Sequence, residues 1–384
     1  MHVHDRFTTG PQTALERTTI VKLLVQPRDG IAPLIAAVKK ARKSIDILIF
    51  RMDSKELEDA LKEASGRGVA VRALIAHTNT GGEARLRNLE TRFLEAGITV
   101  GRTAGDLIRY HGKMMIVDRR TLFLLSFNFV HLDIDHSRGF GVVATSGKIV
   151  HEAVKLFEAD LNRQNYTAGS STLVVSPANA RKQLSAFIKQ ARRQLLIYDP
   201  KIADGQIMRL LESHAKAGLD VRIVGTTVAR GPLLKVAPLT AMRLHTRTII
   251  RDGRQAFVGS QSLRPPELDF RREIGIIFRD PVAVRTLLET FETDWASTGF
   301  DEARDALKKD AATVQPDITV KATQALEKVM LPVRTTLKKA IKMAVTKAGK
   351  EALAHGDLKS TVKDAVKRAM KEAVHEIVAV EKAG

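Results

Sequence analysis

The chain has 384 residues, 44% of them hydrophobic, enough for two core-bearing units and an appendage. It has no cysteine, which excludes disulfides; its N-terminal MHVHDRFTTGPQTALERTT has no apolar signal core, and no segment approaches the roughly 20 apolar residues of a spanning helix, so a soluble, cytoplasmic protein is expected. With 62 Lys plus Arg against 43 Asp plus Glu, the formal charge of +19 should draw polyanions without choosing between anionic phospholipid surfaces and nucleic acid, while an aromatic content of 5% argues against a specialised single-strand reader.

Residues 1–30 form an N-terminal segment, after which helices and strands alternate. Asp29 is placed to cap a helix running to about Lys43, and Ser44 to Phe50 is a short apolar run suited to a buried strand. KELEDALKEAS carries Glu58 and Lys62 at i and i+4, a helical pairing, and a strand from Val69 to Ile75 follows. The TNTGGEAR loop and the helix-like LRNLETRFLEAG lie between Asn79 and Gly101. Two strands come next, Met114 to Val117 and Thr121 to Phe127, then a loop bearing His131, Asp133, Asp135 and His136.

This succession returns. LIAAVKKARKSIDILIF from Leu34 resembles LSAFIKQARRQLLIYDP from Leu184, and GVAVRALI from Gly68 resembles GLDVRIVG from Gly218, both at an offset of 150 residues (184 − 34). FEADL from Phe157 matches FETDW from Phe291 at 134 (291 − 157), so the first copy holds 16 extra residues (150 − 134), within Asn79 to Gly101. The pattern predicts an α/β layered fold in two repeats, residues 31–165 and 181–300, each a mixed sheet with helices on its faces, paired as a pseudo-dimer. Residues 301–384 differ, being rich in Ala, Lys and Val. Val333, Leu337, Ile341 and Val345 recur every four residues, as do Val362, Val366, Met370, Val374 and Val378, which predicts a basic helical extension. Such helices serve either as a tether to anionic membrane or nucleic acid or as a structural hairpin; Asp364, Glu372 and Glu376 dilute the positive face and favour the hairpin.

The chemistry concentrates where the copies match without a gap. HGKMMIVDRRTLFLLSFN, His111 to Asn128, aligns with HTRTIIRDGRQAFVGSQS, His245 to Ser262, pairing His111 with His245, Lys113 with Arg247, Asp118 with Asp252, Ser126 with Ser260 and Asn128 with Ser262. On a strand, residues i and i+2 share a face, so the imidazole at 111 and the ammonium at 113 point into one pocket. A nucleophile and a phosphate-binding cation are both needed there. Ser126, Asn128, Ser260 and Ser262 would reach the same rim and donate hydrogen bonds to phosphoryl oxygens.

This pattern resembles the phospholipase D superfamily, whose signature H-x-K-x4-D-x6-G-S-x-N is usually present twice. The resemblance covers most of residues 31–300 and implies a phosphodiester-cleaving site on the pseudo-twofold axis that works without metal or cofactor. It also implies that one histidine attacks phosphorus, forming a phosphohistidine, while the other protonates the leaving oxygen and then activates water or an acceptor alcohol. Departures are evident. Leu125 stands at the first glycine position, Arg247 at the second lysine and Ser262 at the second asparagine. A glutamate tends to follow each motif: Glu273 fits, but its register mate is Gly139, so the half-sites are not equivalent. Because Lys113 and Asn128 are intact in the first copy, and a carboxylate from one repeat can orient the histidine of the other, Glu273 is expected to serve His111. His111 is then the nucleophile and His245 the general acid and base, with the reverse assignment as the alternative. Asp118 and Asp252 are supporting carboxylates. The His131, Asp133, Asp135 and His136 cluster is read as a solvated loop rather than a metal site, Asp135 aligning with Asp269.

Three functions remain open from sequence. The first is a phospholipase or phosphatidyltransferase like the soluble cardiolipin-synthase-like bacterial members, peripheral on the inner face of the membrane. The second is a nuclease of the same superfamily, and the third a polyanion-binding protein whose chemistry has decayed.

Overall fold

In the computed structural model, residues 21–78, 82–228 and 233–302 are described, and every strand and helix named below lies within the compact unit Met1–Phe300. The expected helices of residues 301–384 lie outside the described residues.

The first repeat runs β1 (Val21–Gln26), α1 (Ala32–Lys40), β2 (Ser44–Ile49), α2 (Lys55–Gly66), β3 (Ala70–Ile75), α3 (Glu83–Glu95), β4 (Thr99–Arg102), β5 (Arg109–Tyr110), β6 (Met114–Val117), β7 (Thr121–Leu125), α4 (His131–Asp135), β8 (Ser137–Ala144) and α5 (Gly147–Leu161). The second runs β9 (Leu173–Val175), α6 (Ala180–Lys189), β10 (Gln194–Ile202), α7 (Gly205–Lys216), β11 (Asp220–Thr227), β12 (Lys235–Ala237), β13 (Arg243–Leu244), β14 (Arg247–Arg251), β15 (Gln255–Gly259), a π-helical turn (Pro266–Phe270), β16 (Arg271–Arg272), β17 (Ile274–Phe278) and α8 (Pro281–Ala296). Among these elements α3 has no counterpart in the second repeat, which accounts for the longer first copy.

The two sheets have one topology. Strand order is β1-β8-β7-β6-β2-β3-β4 in the first and β9-β17-β15-β14-β10-β11-β12 in the second, with the parallel strands on one side and the antiparallel motif strands on the other. Each repeat therefore begins one strand earlier than the sequence pattern predicts. β9 has only three residues, and β1, buried at five of its six positions, shows no alternation although it lies at the sheet edge.

Both faces of each sheet are covered, which is why β2 and β6 read as continuous apolar runs. Helices α1, α2 and α3 pack on the outer face of the first sheet and α6 and α7 on that of the second. A shared core lies between the sheets, where α5 and α8 deliver the register mates Phe157 and Phe291, both fully buried. Truncating either to Ala should cost about 3–5 kcal/mol. The expected cap at Asp29 does not form. The residue before α1 is Ile31, and Asp29 instead accepts from the Val25 amide at 2.7 Å, closing the preceding turn. Glu58 and Lys62 pair on α2 at 2.5 Å, as their spacing requires.

The repeats are joined by a reciprocal exchange. β5, which leads into His111, pairs in parallel with β16 of the second repeat, and β13, which leads into His245, pairs in parallel with β8 of the first. The His111 amide donates to the Arg272 carbonyl at 2.7 Å, and the His245 amide to the Arg138 carbonyl at 3.1 Å. Those two arginines cross back to the aspartates of FETDW and FEADL: Arg138 to Asp294 at 2.7 Å and Arg272 to Asp160 at 3.0 Å, all buried. Removing one partner of such a pair would leave a buried charge uncompensated, a cost of about 3–5 kcal/mol.

Candidate active site

Each motif is a β-hairpin anchored at its far end by its aspartate. Asp118 and Asp252 occupy the tight turns after β6 and β14, both at φ 53°, a region that Asp tolerates better than most residues. Asp118 accepts from the backbone N–H groups of Arg42, Lys43 and Ser44, and Asp252 from those of Arg192, Arg193 and Gln194, at 2.7–3.2 Å. They fix the hairpin to the start of the neighbouring strand, a full strand length from the histidines.

At the opposite ends the two histidines enter from the exchanged segments. His111 and His245 are both largely buried, at 8% and 7% exposure. His111 Nδ1 lies 2.8 Å from Oε2 of the fully buried Glu273, a contact made across the repeat boundary because β16 carries the chain past β5. An ionised carboxylate only accepts, so this bond assigns the imidazole proton to Nδ1 and leaves Nε2 as the acceptor nitrogen. Lys113 Nζ sits 2.9 Å from that Nε2 and donates to the His111 carbonyl at 2.7 Å. Arg247 reproduces the latter contact, donating from NH1 to the His245 carbonyl at 2.8 Å and from Nε to Ser262 Oγ at 3.1 Å. Phe50, at the end of β2, stands edge-on to the His111 ring at 4.5 Å between centroids.

Electrostatically the site is cationic and its side chains are largely buried. Burial, followed by the charges of Lys113, Arg247, Arg109 and Arg271, holds His111 well below the ordinary imidazole range. Burial, Arg247, Lys113 and Arg243 do the same to His245. Burial likewise lowers Lys113 and Arg247 and raises Glu273, which Lys113, Ser260 and Arg247 pull back down. Such a site disfavours a proton on either imidazole until an anion enters to offset the surrounding cations.

The remaining expected residues divide. Asn128 donates to Asp133 and Ser262 accepts from Arg247, which places both beside the charged side chains around the histidines. Ser126 and Ser260 do not serve as free donors at its rim: Ser126 Oγ accepts from the Phe140 amide at 2.9 Å and Ser260 Oγ from the Ile274 amide at 3.0 Å, clipping each motif to the next strand. Leu125 packs in the outer core of the first repeat against Gly141, so the missing glycine is a packing exchange. The His131, Asp133, Asp135 and His136 segment is α4 and does not act as one cluster. His131 pairs with Asp135 at 3.0 Å on the surface, while Asp133, 2% exposed, turns into the pocket. Asp133 Oδ2 accepts from the Asn128 amide at 2.9 Å and its Nδ2 at 2.6 Å and lies 3.4 Å from His245 Nε2; Oδ1 accepts from Arg243 at 2.5 Å. Asp135 and Asp269 align but differ in partners, Asp269 binding Arg181 at 2.5 Å.

Sequence reasoning also missed Asp199, at the end of the apolar run of β10. It is fully buried, accepts from the Leu263 amide at 2.7 Å and supplies the opposing charge for Arg247. Its signal was an acid ending an apolar strand where the first repeat has Ile49. Among the described residues no helix is long and apolar enough to cross a membrane.

Comparison with known proteins agrees with this duplicated arrangement. The family described as "Cardiolipin synthase, PLD-like domain" matches residues 34–161 and 184–295. The major cardiolipin synthase of Bacillus subtilis is 23% identical over 331 residues, 71% of this chain and 68% of that protein. Among solved structures, the polyphosphate kinase of Porphyromonas gingivalis superposes with a TM-score of 0.61 at 19% identity over 72% of this chain, which spans only 50% of that one. The phosphatidylserine synthase of Haemophilus influenzae gives 0.55 at 11% identity over 72% of this chain and 86% of its own. At these identities the structural likenesses speak to the fold.

Proposed function

The chain belongs to the phospholipase D superfamily, its match running across both repeats, and from that premise we propose that it is a phosphodiesterase or phosphatidyltransferase acting on phospholipid phosphodiesters. His111 Nε2 attacks phosphorus as the bond to the leaving oxygen breaks, and His245 supplies the proton that the leaving oxygen takes. The resulting phosphohistidine is then opened by water or an acceptor alcohol, whose proton returns to His245, and His111 is released unchanged. Lys113 and Arg247 neutralise the phosphoryl oxygens, and Asn128 and Ser262 orient them. Glu273 holds the His111 ring and stabilises the charge that the ring acquires on attack.

The observation that carries this reading is the 2.8 Å contact between His111 and Glu273 across the repeat boundary, which gives one histidine the tautomer of a nucleophile. The lipid substrate rests on the family match and on the Bacillus subtilis relative. The test is to incubate the purified full chain with mixed anionic phospholipids and, in parallel, with plasmid and single-stranded DNA, each with and without EDTA. Release or transfer of a lipid headgroup, unchanged by EDTA, is expected. Cleavage of DNA alone would move the assignment to a nuclease, and inertness towards every phosphodiester would leave a polyanion-binding protein.

A further inference from the structure

The pseudo-twofold relation leaves His245 without the partner that His111 has. Gly139 occupies the place of Glu273, and the space beside it is closed: a Cβ built at 139 would meet the Phe127 ring at 3.0 Å and the Phe127 Cβ at 3.2 Å. The other repeat has Gln261 where Phe127 stands. No side chain at 139 could therefore reach His245 without displacing a buried aromatic.

A carboxylate arrives by another route. Asp133 comes from α4, five residues beyond Asn128, and both its oxygens are fixed. Oδ2 is held by the two Asn128 donors, Oδ1 by Arg243, and the same Oδ2 lies 3.4 Å from His245 Nε2. Its register mate, Glu267, is equally buried, but its carboxylate is taken by Arg264 and Arg271. The two histidines thus face carboxylates at opposite nitrogens: Glu273 hydrogen-bonds His111 at Nδ1, and Asp133 lies within ion-pair range of His245 at Nε2, 3.4 Å away. Nδ1 of His245 is buried without a hydrogen-bond partner.

Resting on the function proposed above, we infer that Asp133 is the positioning carboxylate of His245, that it fixes the proton on Nε2, and that it thereby makes His245 the proton carrier and His111 the nucleophile. A carboxylate 3.4 Å from Nε2 favours a proton on that nitrogen, and a protonated Nε2 has no lone pair to offer phosphorus. In its protonated, imidazolium form the ring carries a proton on each nitrogen, and the Nε2–H beside Asp133 is the one that a leaving oxygen takes, returning the ring to neutral. Arg247, Lys113, Arg243 and His111 all face His245 and oppose its protonation. Asp133 is the anion within contact distance of the ring that favours it.

The test compares wild type, Asp133→Asn, Asp133→Glu and Glu273→Gln on two matched phosphodiesters, one releasing 4-nitrophenolate and one an alkanol. Nitrophenolate departs without a proton and the alkanol does not. Asp133→Asn is expected to lower kcat on the alkyl diester about 100-fold, the lower end of general-acid catalysis, and to change the nitrophenyl reaction only a few-fold. Glu273→Gln should depress both, and Asp133→Glu, which keeps the charge, should keep the wild-type ratio of the two rates. An equal loss on both diesters in Asp133→Asn, no loss on either, or an altered ratio in Asp133→Glu would overturn the inference. A second readout is independent of turnover: the imidazole of His245, followed by NMR, should titrate at lower pH in Asp133→Asn than in wild type, and an unchanged titration would overturn it too. Failure of wild type to turn over either diester would instead refute the proposed function, leaving the titration to decide the role of Asp133.

Discussion

Replacing Glu273 with Gln removes one charge and little volume from a side chain that is wholly buried and touches His111 at 2.8 Å. Two consequences follow, and they have opposite signs. For catalysis, the charge-assisted bond to Nδ1 becomes a neutral one of about half its strength, a difference of about 1–1.5 kcal/mol and so about 5- to 12-fold in rate. If the new amide turns its NH2 to Nδ1, the imidazole is forced into the tautomer with its proton on Nε2. The loss then approaches the ~10⁴-fold seen when an orienting carboxylate is replaced by its amide. For stability, burial raises the Glu273 carboxyl, meaning that ionising it costs folding free energy, so a neutral isostere should leave the melting temperature unchanged or slightly higher. The assay pairs kcat/KM on a nitrophenyl phosphodiester with thermal unfolding of the same preparations. A drop of about fivefold at least, and far more if the tautomer flips, is expected at undiminished Tm. Loss of activity in proportion to loss of stability, or a rate within about threefold of wild type, would refute the orienting role.

Three further perturbations probe other parts of the site. Arg247→Lys should stay within about 10-fold of wild type, because Lys113 makes the equivalent carbonyl contact with an ammonium, whereas Arg247→Ala should lose at least 100-fold; steady-state kinetics that fail to separate the two variants would mark the second half-site as vestigial. Asp252→Ala should lower stability by about 1–3 kcal/mol in denaturant unfolding, since backbone N–H groups of Arg192, Arg193 and Gln194 lose an anionic acceptor, yet kcat of the folded protein should hold; a kcat loss without destabilisation would place Asp252 in the chemistry instead. The pH profile follows from the direction of the histidine shifts: an imidazole ordinarily titrates near about 6.5, burial and the surrounding cations lower both, and the working form needs one proton on the pair. That form declines as pH rises through the lowered values, so kcat/KM should peak on the acid side of neutrality and fall towards alkaline pH, and a maximum near about pH 8 would contradict the burial argument.

Much of this molecule was legible in the sequence because the duplication samples the same physics twice. Position 111 against 245 set the register of the copies, and the largely apolar runs at 114–117 and 44–49 suited buried strands. The contact of Glu273 with His111 across the repeat boundary is the one the superfamily resemblance implies, although the exchange of β5 and β13 that produces it leaves no trace in strands of two residues. The misses share a cause: they depend on which oxygen or nitrogen meets which neighbour, and a pattern of residue types does not record that. Asp133 read as one of four polar loop residues until α4 turned it inward. Asp199 looked like the end of a strand. The motif serines promised donors to a phosphate, but ladder geometry brings their hydroxyls to the amides of Phe140 and Ile274.

The central claim is that His111 becomes covalently bound to the phosphoryl group. Rapid acid-free quenching of the full chain during turnover, followed by peptide mass spectrometry, locates that adduct directly. The account predicts a phosphoryl-linked substrate fragment on His111, absent from His111→Ala and accumulating in Asp133→Asn if transfer to water or alcohol is slowed. An adduct on His245 with His111 unmodified would contradict it.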